Sequence, residues 1–370
     1  MKKTLLAMAL LAGFAGTAQA ADSVTLYGLI DAGIGYEQVK FKGEKQSRVG
    51  GVQGVSSGSR FGMRGVEDLG DGLRAVFTLE AGFGPLNGES AQNGRLFGRQ
   101  ATVGLDSDNW GRLEFGRQTN IASKFLGSID PFSLSYNTAN LGTTFSSANT
   151  MRLDNMVLYQ TPNMNGFKFG IGYSFNADDT QDDNGRSGFQ INDNNRVLTT
   201  GVQYLNGPLN VALAYDHMSL SNNLTGGKKA DSVDAYVLGA SYDFEVVKLA
   251  GAFGQTRDGW FVGQNLGTTP DGMNKFGSFV GADGFRANSY MVGATLPLGR
   301  SSVFGSWQRA APNNSKLTGD DATTNVYSLG YTYDLSKRTN LYAYAAYADN
   351  YAFQRDAKDT AVAVGMRHRF

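Results

Sequence analysis

Seven tight turns and eight long polar segments take turns along this chain, and that strict alternation limits its fold more than any single motif does. The tight turns fall at Asp68–Gly72, Asp106–Asn109, Pro162–Gly166, Asn206–Pro208, Tyr242–Glu245, Pro297–Arg300 and Asp334–Lys337. The long segments lie at about 40–58, 84–94, 120–150, 176–195, 219–231, 257–285, 311–324 and 351–358. Between them the side chains run in period two. From Ala235 to Phe244, Tyr236, Leu238, Ala240, Tyr242 and Phe244 share one face, with Val237, Gly239, Ser241 and Asp243 on the other. Asn325 to Leu335 and Ser289 to Leu296 repeat the pattern. Residues two apart point to the same side of a strand, so each run offers one apolar, aromatic-ended face and one small or polar face. A soluble sandwich would use the same alternation to separate core from solvent, so alternation alone leaves the choice open. The two lengths of connection decide it. Sixteen antiparallel strands with both termini on the short-turn side match a transmembrane barrel with short periplasmic turns and long extracellular loops. The expected fold is an all-β, transmembrane antiparallel β-barrel.

The first twenty residues stand apart from this rhythm. Lys2 and Lys3 precede an apolar run from Leu5 to Phe14 and the small-residue pattern Ala18-Gln19-Ala20, the form of a secretory signal cleaved after Ala20. That run is too short for a membrane helix, which needs about 20 apolar residues. Residues 21–370 are then a single barrel domain. Composition agrees: 49 of 370 residues are Gly and only 18% are charged, against about 25% in a typical soluble domain. Lipid-facing strands need few charges, and glycines suit lumen-facing or closely packed positions. The absence of Cys excludes a disulfide framework, a thiolate metal site and a cysteine nucleophile. With 33 basic and 33 acidic residues there is no overall electrostatic case for a nucleic-acid partner.

The chain closes on Val362, Val364, Met366, His368 and Phe370, alternating with Ala361, Ala363, Gly365, Arg367 and Arg369. An amphipathic last strand that stops on an aromatic looks like the terminal signature of outer-membrane barrels. The stretch Ser23-Val24-Thr25-Leu26-Tyr27-Gly28-Leu29-Ile30-Asp31-Ala32-Gly33 resembles the first strand of Gram-negative general porins, above all the beta-proteobacterial type. Ser59 to Gly70, Phe115-Gly116-Arg117-Gln118 and Arg367-His368-Arg369-Phe370 carry the same resemblance. It covers essentially the whole chain after the signal and diverges in the long loops. The resemblance implies a homotrimer in the outer-membrane lipid, a third loop folded into the lumen, no cofactor, and small hydrophilic solutes and inorganic ions as cargo. Glu89, in the second long segment, is then a candidate latch onto a neighbouring subunit.

Sixteen strands enclose an aqueous lumen, whereas about eight are filled by their own side chains. The task that follows is passive diffusion, with selectivity set by whatever narrows and charges the lumen. Thr119 to Thr150 is the candidate constriction, poor in charge and carrying one acid, Asp130. Arg60 shares parity with Gly62 and Arg64, and Arg152 with Asp154, so both should point inward. They fit the porin pattern of wall arginines opposing the loop. Arg99 and Arg117 join them by motif, in Phe97-Gly98-Arg99-Gln100 and Phe115-Gly116-Arg117-Gln118. Arg99 nevertheless falls in step with Ala101, Val103 and Leu105, which calls for a bulge or a position above the membrane band. Guanidiniums stay charged at any relevant pH, so the expected result is a modest anion preference.

Other chemistries find little support. A substrate-selective channel would need a track of aromatic and basic residues along the lumen, yet Trp260, Phe261 and Phe276 lie in the sixth long segment. A barrel without conductance is the remaining alternative. His217 and His368 are the only histidines, so a hydrolase would have to assemble around one of them. Asp178, Asp179, Asp182 and Asp183 miss the spacing of a calcium loop.

Overall fold

The computed structural model describes residues 23–178, 194–221, 230–264, 266–274 and 277–370. The expected export signal at 1–20, most of the acidic fourth segment, and Phe276 lie outside the described residues.

Eighteen strand segments form one sheet. The first are β1 (Ser23–Phe41), β2 (Glu44–Gln53), β3 (Arg60–Gly70), β4 (Leu73–Gly82), β5 (Gln100–Ser107) and β6 (Gly111–Thr119). Two short pieces, β7 (Arg152–Leu153) and β8 (Met156–Gln160), precede β9 (Phe167–Ser174), β10 (Arg196–Asn206), β11 (Leu209–Ser219) and β12 (Ser232–Asp243). The long strands β13 (Lys248–Val262) and β14 (Ser278–Leu298) lead to β15 (Ser301–Pro312), β16 (Thr324–Asp334), β17 (Thr339–Asp349) and β18 (Lys358–Arg369). β2 and β3 pair with the two ends of β1, and β7 and β8 both pair with β6, so the segments make sixteen staves. Every neighbouring pair is antiparallel, and pairing of β18 with β1 closes the ring. Phe370 completes the seam by exchanging backbone hydrogen bonds with Gly28 at 3.2 and 3.0 Å. A Cβ on Gly28 would come within 2.4 Å of the Phe370 ring, so only glycine admits the terminal aromatic here.

The seven short connections all join adjacent staves. Asp71 and Gly72, at φ 52° and 75°, make the two-residue turn between β3 and β4, where both central positions need positive φ. The alternation places its apolar face outward. Tyr236 and Leu238 are 41% and 47% exposed on the outside of β12, while Val237 between them is 2% exposed and faces inward. Among the described residues no helix is long and apolar enough to cross a membrane; the crossing is made by strands.

Two long segments depart from expectation. The stretch expected as a loop at 40–58 is mostly a hairpin, with β1 and β2 turning at Lys42-Gly43 and a break only at 54–59. Backbone pairing, the Arg48–Glu37 ion pair at 2.9 Å and the buried Val39 and Phe41 sustain it, although Glu44, Lys45, Gln46 and Arg48 are exposed and carry no apolar alternation. Likewise β13 continues to Val262 past a register shift between Arg257 and Gly259, so strand occupies part of 257–285.

Candidate functional site

The third loop leaves β6, crosses the lumen and returns at β7. It opens on the short helix α1 (Ile121–Leu126), whose N-cap Asn120 accepts a hydrogen bond from the Ser123 backbone and donates to Ser147 O and Asp216 Oδ1 at 2.9 and 3.0 Å. Ile121, Phe125 and Leu126 on α1 are buried with Leu158, Val197, Ala212, Ala214 and Val237 of the wall. The wall is cut away to receive them. A Cβ on Gly170, Gly201 or Gly239 would lie 2.4, 2.9 or 2.7 Å from α1 side chains, and one on Gly293 would lie 2.6 Å from Pro131. These inward-facing glycines form a track in which the loop sits, which accounts for part of the glycine excess.

Beyond α1 the loop reaches the opposite wall. Phe132 packs edge-on against Phe304 at 5.0 Å, and Tyr136 against Tyr342 and Tyr344 at 5.9 and 5.5 Å. The Tyr136 amide donates to Val55 O at 2.7 Å. Gln308 ties the return leg, accepting from Thr144 Oγ1 and donating to Ala139 O, both at 2.8 Å. The loop is thus pinned at both sides of the barrel.

Between its tip and the wall lies a cavity of about 580 Å3. Ser133, Ser135 and Asn137 line one side; Arg60, Arg99, Arg152 and Arg367 line the other. Carboxylates neutralise only some of these cations. Glu80 takes Arg99 Nε at 2.7 Å, approaches Arg60 Nη1 at 3.9 Å and accepts from Tyr27 OH at 3.0 Å. Arg60 also donates from Nε to Gly58 O at 2.8 Å. Among the described residues Arg152 bonds only carbonyls, those of Arg99 and Thr150 at 3.1 and 3.4 Å. Arg367 donates to Ser57 Oγ at 2.8 Å. Among the described residues neither Arg152 nor Arg367 has a carboxylate within ion-pair distance.

Two expected members stand elsewhere. Arg117 lies outside the cavity lining, held at 2.6 Å by Asp154, which also binds Arg95 at 2.8 Å, and by Gly98 O at 2.8 Å. Asp130 does not face the arginines. It is 3% exposed and turned into its own loop, accepting from the backbone amides of Phe132, Leu134 and Leu141 at 3.0, 2.9 and 3.2 Å. Its place just before Pro131 allows the carboxylate to cap the following turn, so it organises the tip instead of charging the lumen. Burial outweighs those three bonds and pushes its pKa up to about 6. Arg367, Glu80, Asp154 and Arg95 were not foreseen. Parity was the available signal for Arg367, which is in phase with inward-facing Ala361 and Ala363.

Glu89 is exposed in the second loop and accepts from Asn87 Nδ2 at 2.7 Å. His217 faces Asp234 at 2.8 Å, with Ser219 Oγ 3.5 Å from its other nitrogen. These three lie on the outer face of the barrel, and 3.5 Å is too long to activate a hydroxyl. His368 pairs with Thr339 at 2.8 Å. Among the described residues no cluster of three or more His, Asp or Glu could hold a metal; Asp178 accepts from Asn195 at 2.9 Å.

A closed barrel of sixteen staves with an apolar exterior, an inward-folded loop and a charged opening defines a diffusion channel of the outer membrane. The profile of Gram-negative porins matches residues 7–352, and the chain belongs to that family. It is 61% identical to an outer membrane porin protein of Bordetella pertussis and 35% identical to outer membrane porin protein 32 of Delftia acidovorans, over the full length of both partners each time. Its fold superimposes on an anion-selective porin from Comamonas acidovorans with a TM-score of 0.73 and 30% identity, covering 95% of this chain and all of the other. The protein is a channel of the Gram-negative outer membrane and not an enzyme.

Proposed function

We propose that this porin passes small hydrophilic solutes and ions with a modest preference for anions, set where the arginines face the third loop. The observation that carries the reading is the unneutralised pair Arg152 and Arg367 on the cavity wall, with Arg60 and Arg99 beside them sharing one carboxylate. Fixed guanidiniums lining a narrow opening raise the local concentration of anions and lower that of cations. The acids in the long loops and on the distant rim act little here, because free charges beyond about 8 Å are screened in physiological salt. The anion-selective porin that shares this fold supports the same sign. A reversal potential measured across a planar bilayer under a potassium chloride gradient tests it. A potential of anionic sign is expected, and clear cation selectivity would overturn the reading.

The same reading takes residues 1–20 as the export signal, the assembly as a homotrimer and Glu89 as a latch at its contact. A monomeric mass in mild detergent would remove the trimer.

A further inference from the structure

The outer surface of the β13–β14 ladder is arranged in tiers. Cα partners on these strands pair Leu249 with Ala294, Gly251 with Val292, Phe253 with Tyr290, Gln255 with Asn288 and Arg257 with Arg286. All of these share the parity of Phe253, Tyr290 and Val292, which are exposed on the barrel exterior. Moving toward the long-loop end, the surface passes from aliphatic to aromatic to amide to cationic, each tier about 7 Å above the last. The aromatic rings meet at 5.4 Å, and Gln255 donates to Asn288 Oδ1 at 2.6 Å.

The top tier is electrostatically incomplete. Arg257 and Arg286 are the only arginines opposite each other in the described strand registers, and both are exposed. Like charges directly across a ladder repel. The one carboxylate in the same row, Asp234, is the Cα partner of Arg257 but spends its Oδ1 on Tyr215 OH at 2.7 Å and His217 Nδ1 at 2.8 Å. Arg257 turns away from it, bonding the Gln255 side chain with its guanidinium 5.6 Å over the Tyr236 ring. Asp258, just above, accepts from the Gly284 amide at 2.7 Å. Among the described residues neither arginine has a carboxylate within ion-pair distance.

We propose that this ladder is a binding site for a phosphorylated glycolipid of the outer leaflet. A phosphate bridges Arg257 and Arg286, replacing their repulsion with charge-assisted hydrogen bonds. Sugar hydroxyls meet the Gln255–Asn288 amides, and an acyl chain descends over Phe253, Tyr290 and Val292. The commitment to a lipid over a free anion rests on position. The two arginines stand two tiers above an aromatic pair, with the amide tier between them, at the rim of the apolar belt where headgroup phosphates lie.

The full barrel, refolded in detergent without native lipid, is titrated with diphosphoryl lipid A and with its dephosphorylated form, and bound lipid is read by native mass spectrometry. The diphosphoryl form should bind at least about tenfold more tightly, two surface arginines each contributing to that difference. Arg257→Gln with Arg286→Gln should remove most of that advantage, whereas Arg257→Lys with Arg286→Lys should keep the greater part. Single-channel conductance should be unchanged in both, because the pair faces away from the lumen, and this shows that the variants have folded. Equal binding by the wild type and the double glutamine variant would overturn the site. Displacement of the lipid by millimolar inorganic phosphate would reduce it to a plain anion site and overturn the lipid.

Discussion

On the wall from β8 to β14 the third loop meets glycines and aliphatic side chains, packed so closely that added Cβ atoms would collide with it. From Arg367 on β18 through Arg60 on β3 to Arg99 before β5 and Arg152 on β7, guanidiniums face the tip of the same loop across an open cavity. The first contact is broad, apolar and nearly free of charge; the second consists of a few cations held by backbone carbonyls and shared carboxylates. The difference separates two tasks. Dispersion and burial fix where the loop lies and are indifferent to what passes through. The charges select what passes and contribute little to holding the loop. A constriction built from charge alone would lose its shape whenever salt screened it, whereas this one keeps its shape from the apolar seat of α1 and from the aromatic contacts of Phe132 and Tyr136, neither of which salt touches.

The strongest way to break that division is to attack the apolar seat. Phe125 is buried against the wall, and Phe125→Ala should cost about 3–5 kcal/mol through lost burial and the cavity left behind. Denaturant unfolding should show that loss, and single-channel records should become noisier as the loop moves. Arg367→Ala on the other wall should cost no more than about 1 kcal/mol, since among the described residues its one side-chain partner is Ser57. Comparable losses at the two positions would mean that the charged side also holds the loop.

Asp130 sits where the loop leaves its seat for the arginine side. Burial raises its pKa to about 6, so the native loop takes up a proton more readily than the unfolded chain does. The resulting stabilisation is fully present below the ordinary carboxylate pKa near 4 and is lost as pH rises through about 6. Between about pH 7 and about pH 4 the wild type should therefore gain up to about 3 kcal/mol relative to Asp130→Asn. Parallel stability curves for the two proteins would show that Asp130 is already solvated and that the loop tip is looser than its seat.

Regular strand geometry made part of this legible in advance. The hairpins, the stave count and the lumen side of Arg60 follow from period-two alternation between short turns; Arg152 lines the same cavity from a two-residue strand that ends at the break before β8, where alternation does not apply. Parity failed where the chain is not a regular strand. Arg99 precedes β5, so its phase with Ala101 carries no information, whereas Arg117 lies in the unbroken β5–β6 register in step with exposed Phe115, and its place outside the cavity lining agrees with that phase. Composition marks Asp130 only as a charge, whereas its local chemistry, a carboxylate ahead of several backbone amides, is that of a turn organiser. Glu80 comes from β4 and Asp154 from the break between β7 and β8, each distant in sequence from the arginines it neutralises. Only the register of the closed barrel brings Asp154 to Arg95 and Arg117. The glycine track was visible as an excess of glycine but not as a groove, because its partners lie on a loop that has no period.

The smallest expected effect distinguishes arginines within the charged wall. Five were named for the opening or found near it, yet their surroundings differ. Arg152 and Arg367 line the cavity without a carboxylate; Arg60 and Arg99 share Glu80; Arg117 is bound to Asp154 outside the lining. The field felt by a passing ion depends on net charge at the opening. Arg152→Gln or Arg367→Gln should each lower the anion-to-cation permeability ratio by about two- to fivefold, the effect of one unit charge acting across a few ångströms of partly ordered water. Arg60→Ala should weaken it less, since Glu80 then transfers to Arg99 alone. Arg117→Gln should leave the ratio nearly unchanged, because Asp154 keeps Arg95. Reversal potentials for the four variants under one salt gradient rank them directly. Arg117→Gln matching Arg152→Gln would mean that total charge of the wall, and not its placement at the cavity, sets selectivity.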